Sequence, residues 1–135
     1  MKKYLFICLV FFCGCLFMTG HDYDIAIMSE NQLPLYGVLV ESEKGMQFSF
    51  GTLMPGADAY YEGQKNYPFQ DRFIISWSNL EKDRYNALGE KPFTEVIDTS
   101  SVPKDFKGVL QFKIDAQNKV SYKAIPYSEY FGKDK

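Results

Sequence analysis

Beyond residue 15 the chain has no cysteine, and it carries one histidine, His21, and one tryptophan, Trp77. A disulfide framework is therefore excluded downstream of that point, and so is a zinc site built from paired Cys and His ligands. Nucleophilic dyads and triads need a base beside the nucleophile, and the usual one is missing from the body of the chain. No glycine-rich phosphate loop occurs. The formal charge is −2, which gives no electrostatic footprint for nucleic acid and no basic patch for anionic lipid. Long apolar runs are also scarce. The one at the start, Tyr4 to Met18, falls short of the ~20 residues that span a bilayer as a helix.

That start explains the cysteines. Lys2 and Lys3 precede an apolar stretch, and Cys8, Cys13 and Cys15 all lie within it. A short basic lead and an apolar run of roughly ten residues match a bacterial export signal. Gly14 places a small residue before Cys15, so processing there, with lipid on Cys15, is the first reading. Cleavage near Gly20 or an uncleaved signal are the alternatives. On the first reading the signal covers 1–14, a tether 15–24, one β domain 25–127 and a polar C-terminal tail 128–135. The mature domain then has no thiol. Several acyl chains at about 0.8 kcal/mol per buried CH₂ would hold it firmly in a periplasmic membrane, the outer one being favoured.

The rest of the chain is rich in aromatics, with ten Tyr and twelve Phe, which favours pleated, half-buried surfaces. Alternation of period two recurs. Phe73, Ile75 and Trp77 share one face of 72–78, and Leu110, Phe112 and Ile114 share one face of 109–115, leaving Gln111 and Lys113 outside. Further strands are expected at 35–41, 46–50, 93–98 and 120–125. Asn118, which takes positive φ cheaply, marks a hairpin between the last two. This predicts an all-β fold, an antiparallel β-sandwich (immunoglobulin-like or related) of about six or seven strands. A short helix near 79–88, capped by Asn79 with Leu80, Arg84 and Leu88 on one side, competes with a long connection.

Candidate chemistry is sparse. His21 with Asp22 and Asp24 has the residue types of a metal site but sits in the expected linker. Ser101-Val102-Pro103-Lys104 fits the S-x-x-K pattern of serine acyltransferases, without the companion motifs and buried helix that chemistry needs. Carboxylate pairs such as Glu41 with Glu43 read as solvated. No catalytic residue, metal or cofactor is expected, and the chain reads as a binder rather than an enzyme. The stretch 54–71, MPGADAYYEGQKNYPFQD, is long for a sandwich loop. Its aromatics and acids, Asp58, Tyr60, Tyr61, Glu62, Tyr67 and Phe69, are the candidate partner-binding residues, because aromatic anchors dominate interface energetics. The competing reading is that these aromatics cap the core, with a short edge strand inside the loop.

The lipobox-like start, the strand around Tyr36-Gly37, the Pro- and Gly-containing loop, the FIISW strand and the closing GVLQFKIDAQNKVSYKAI together resemble a family. It is that of small Gram-negative lipoproteins which include immunity proteins against type VI secretion effectors, phospholipases above all. The resemblance covers roughly residues 35 to 125. It implies a secreted toxin as protein partner, a membrane contact only through the N-terminal lipid, and no catalytic residues to carry over. The alternative is a structural or accessory lipoprotein of an envelope machine.

Overall fold

The computed structural model describes residues 23–61 and 71–132, except for the side chains of Asp83 and Tyr85. The elements run β1 (Tyr23–Ser29), β2 (Leu35–Ser42), β3 (Gln47–Leu53), β4 (Asp58–Tyr61), β5 (Arg72–Ser78), α1 (Lys82–Leu88), β6 (Phe93–Asp98), β7 (Gly108–Ile114), β8 (Val120–Pro126) and α2 (Tyr127–Tyr130). The strands form two four-stranded sheets, ordered β4-β1-β7-β8 and β3-β2-β5-β6. The fold is an all-β sandwich. Its core is where the two inner faces meet: Ile25, Ile27, Leu110, Phe112 and Ile114 from one sheet, and Val38, Val40, Phe48, Phe73, Ile75 and Trp77 from the other.

The alternating segments fold as their pattern dictates. β5 and β6 occupy the expected residues, and the faces assigned to β5 and β7 are the buried ones. Asn118 has φ of 58° in the β7–β8 turn. Asp115 tightens that turn by accepting from the backbone N–H groups of Gln117 and Lys119 at 2.8 and 2.9 Å.

Four expectations are corrected. The sandwich is not wholly antiparallel, because β1 pairs in parallel with β7 from Tyr23↔Gly108 to Ser29↔Ile114. The tether does not extend to residue 24: Tyr23 and Asp24 open β1, and Tyr23 fills the core beside Ile25. The C-terminal tail does not begin at residue 128, since α2 packs against β7 and β8. The helix is shorter than 79–88. Asn79 does not cap it but donates from Nδ2 to the Pro34 carbonyl at 3.3 Å, and Arg84 and Leu88 are exposed.

The sheets are joined at both long edges. At one, the ring of Tyr61 meets Phe48 edge-on at 5.1 Å and Phe50 at 6.1 Å, tying β4 to β3. At the other, the Val120 N–H donates to Glu95 Oε2 at 3.0 Å, tying β8 to β6. A buried polar knot closes one end. Asn118 Oδ1 accepts from Trp77 Nε1 at 3.0 Å and from Asn31 Nδ2 at 3.0 Å, while Asn31 Nδ2 also donates to the Asp115 carbonyl. Buried polar groups need such partners, or each costs about 1–3 kcal/mol.

Candidate functional site

β4 separates the candidate residues onto two faces. In its antiparallel pairing with β1, Tyr61 stands opposite Ile25, Tyr60 opposite Ala26 and Asp58 opposite Met28. Successive strand residues point to opposite sides. Tyr61 therefore shares the core face with Ile25, and Tyr60 and Asp58 share the outer face. Tyr61 is a structural closure on Phe48 and Phe50. Tyr61 nevertheless stays as exposed as Tyr60, and the pleat sets the two candidates on different faces of β4. Glu62, Tyr67 and Phe69 lie outside the described residues, as do Cys15, His21 and Asp22.

Tyr60 is the centre of a cluster on the outer face. Its hydroxyl donates to Asp24 Oδ2. Its ring lies 5.8 Å from Tyr130 and 6.0 Å from Phe131, and those two meet edge-on at 5.2 Å. Phe131 also stacks on Tyr127 at 6.1 Å. The chain turns over this face because β8 ends at Pro126, and the helical turn that follows brings Tyr127, Tyr130 and Phe131 to one side by their i, i+3, i+4 spacing. A four-residue helix is not stable alone; here ring contacts hold it.

This cover accounts for three outer-face residues that would otherwise meet water. Asp24, Ala26 and Val109 are buried, yet Ala26 and Val109 are not part of the inter-sheet core. Gly108 permits the close return: a Cβ there would fall inside the Ile125 carbonyl oxygen and 2.9 Å from Pro126 Cα. The cluster is not sealed. Tyr60 is 40% exposed and Phe131 is 55% exposed.

The electrostatics favour neutral phenols. Burial raises the pKa of Tyr60, and the hydrogen bond and charge of Asp24 raise it further. Tyr130 is raised by burial first and then by the charge of Asp58. Held protonated, these tyrosines offer ring faces and fixed hydroxyl dipoles.

The remaining sequence candidates are dispersed. Ser101 Oγ meets the Tyr122 hydroxyl at 3.2 Å, whereas Lys104 pairs with Asp71, so the S-x-x-K residues engage different partners. Glu41 accepts from Gln47 Nε2 at 2.9 Å. Among the described residues no group of three His, Cys, Asp or Glu side chains is arranged to hold a metal. Tyr127, Tyr130 and Phe131 are not among the sequence candidates, and Asp24 is one only as a possible metal ligand beside His21 and Asp22. The Tyr127-x-x-Tyr130-Phe131 spacing after a proline is the signal for the three aromatics.

No family model matches the chain, and no curated protein matches it. It is similar to the NMR structure of a protein from Eubacterium rectale, at 12% identity and a TM-score of 0.49, over 80% of this chain and 91% of that one.

Proposed function

We propose that this chain is an exported, membrane-tethered binding protein that blocks a secreted antibacterial effector, an immunity protein facing a type VI secretion lipase in the periplasm. The observation that carries the binding reading is the solvent-facing cluster of Tyr60, Tyr130 and Phe131 beside Asp58. Aromatic side chains of this kind are the anchors around which protein interfaces form. Tyr60 stands on the edge strand β4, and its ring contacts hold Tyr130 and Phe131 in place, which lowers the ordering cost of association. The N-terminal run with Cys15 supports the tether, which would hold the inhibitor at the membrane a lipase attacks. The finer reading draws on the family resemblance of residues 35 to 125. Blocking needs no catalytic group here, only a surface able to cover another protein's active site, at about 1,600 Å² for a standard interface.

Affinity capture from the lysate of the native organism, with the exported chain as bait, tests this reading. Mass spectrometry identifies the bound proteins, and the enzymatic activity of each is assayed with and without the chain. One secreted enzyme recovered in near-equal amount, with its activity blocked, supports it. Recovery of envelope-assembly components with no inhibited enzyme overturns it in favour of a structural lipoprotein.

A further inference from the structure

The outer face of the β4-β1-β7-β8 sheet is divided in charge. Toward β7 and β8 it carries Lys113 and Lys123, with Lys113 pairing Glu30 at 3.6 Å. Toward β4 it carries Asp58 and the aromatic rings, and neither β4 nor α2 contains a lysine or arginine. Glu129 adds a further acid on α2. Among the described residues Asp58 has no hydrogen-bond or ion-pair partner, and its charge is felt at the Tyr130 hydroxyl. Asp24, by contrast, is engaged by Tyr60.

The rings are set at different inclinations. Tyr60 and Tyr130 are tilted by 37°, Tyr60 and Phe131 by 61°, and Tyr130 and Phe131 by 82°. Such a cluster presents both faces and edges, not one flat stack. A cation over a ring face is attracted by the ring quadrupole, and arginine is the commoner partner because its planar guanidinium stacks while its N–H groups reach a carboxylate. A phenol that donates to a carboxylate is polarised toward its ring, which strengthens the same attraction.

We propose that the rings of Tyr60, Tyr130 and Phe131, with Asp58 beside them, receive an arginine side chain of the protein partner. This deepens the binding reading above and rests on it for the partner, but the receptor chemistry is a property of the patch alone. The charge division selects the occupant: an acidic or purely apolar residue gains nothing from Asp58, whereas a guanidinium meets both the rings and the carboxylate.

The probe is N-acetyl-arginine amide, titrated to ~50 mM into the purified exported chain while the ring protons of Tyr60, Tyr130 and Phe131 are followed by NMR, a range suited to contacts this weak. N-acetyl-norleucine amide is the apolar control. Saturable shifts of these rings with the arginine probe are expected. Binding should be about fivefold weaker in Asp58→Asn and in Phe131→Ala, the size of an exposed cation–π contact. Asp58→Asn changes an exposed side chain and leaves the fold intact, so the test does not depend on a damaged protein. No saturable shift, equal binding of the norleucine probe, or an unchanged affinity in Asp58→Asn would each overturn the inference. An inhibited enzyme that is captured although the probe fails leaves the binding reading standing. A probe that binds while capture returns envelope components leaves only the receptor.

Discussion

The indole N–H of Trp77 donates to the side-chain oxygen of Asn118 at 3.0 Å, across the interior from β5 to the β7–β8 turn. Asn118 can accept there because its backbone is left-handed, with φ of 58°, a conformation Asn tolerates better than most residues. One residue thus sets a turn in one sheet and satisfies a buried donor of the other, while also accepting from Asn31.

Replacing Asn118 separates these two duties. Asn118→Gly keeps the backbone but removes the acceptor of two buried donors, and should destabilise by about 2–4 kcal/mol. Asn118→Asp keeps an oxygen at the same place and should retain most of the stability. Urea denaturation of both variants measures the difference.

Gly108→Ala should be among the most damaging single changes in the domain. The new methyl group would overlap the Ile125 carbonyl oxygen and approach Pro126 Cα at 2.9 Å, and backbone in a paired strand cannot swing aside as a side chain can. A loss of more than about 3 kcal/mol is expected from overpacking of this kind. Thermal unfolding, or failure to accumulate folded protein, reports it.

Tyr61 and Tyr60 should respond differently to mutation. Tyr61→Ala removes the ring that closes Phe48 and Phe50 and should cost about 2–3 kcal/mol in denaturant unfolding. Tyr60→Phe keeps its ring contacts and loses one hydrogen bond to a carboxylate, with an expected cost of about 1–2 kcal/mol. Partner affinity should fall with Tyr60→Ala. With Tyr61→Ala it should follow only the loss of folded protein.

Alkaline pH should weaken the fold through its phenols. Burial pushes Tyr23 up to about 12, and Tyr60 and Tyr130 also stand above the ordinary value of 10.0. An unfolded tyrosine releases its proton near pH 10 while the folded one keeps it. The stabilisation is therefore complete below pH 10 and is lost as pH rises toward 12 and beyond. Each such group steepens the decline by at most about 1.4 kcal/mol per pH unit. Stability measured between pH 9 and 11.5 should fall less steeply in Tyr23→Phe than in the parent chain.

What the sequence made legible was whatever obeys a period of two. Phe73, Ile75 and Trp77 could be placed because Arg72, Ser76 and Ser78 mark the other face, although Ile74 also lies there. β1 escapes a period-two reading because both of its faces are buried, and Asp24, close to His21 and Asp22, reads as linker when it is a polar residue under a cover. That cover comes from residues about a hundred positions later, and no local window contains both. Tyr60 was found by composition alone. Its separation from Tyr61 follows from the pleat, once Tyr60 is known to stand opposite Ala26. The helical stripe through Leu80, Arg84 and Leu88 misled for the opposite reason. The period is there, but Arg84 and Leu88 point to solvent among the described residues.

The parallel pairing of Tyr23 with Gly108 joins the first described strand to the seventh. Ile25 and Ile27 stand in a strand whose neighbour on one side does not exist until most of the chain has been synthesised. A nascent chain that has not reached Val109 can form the β2–β3 hairpin but cannot complete the other sheet. Folding of this topology waits on closure of a long loop and is slow for that reason. The sandwich core therefore cannot close until its last strands arrive.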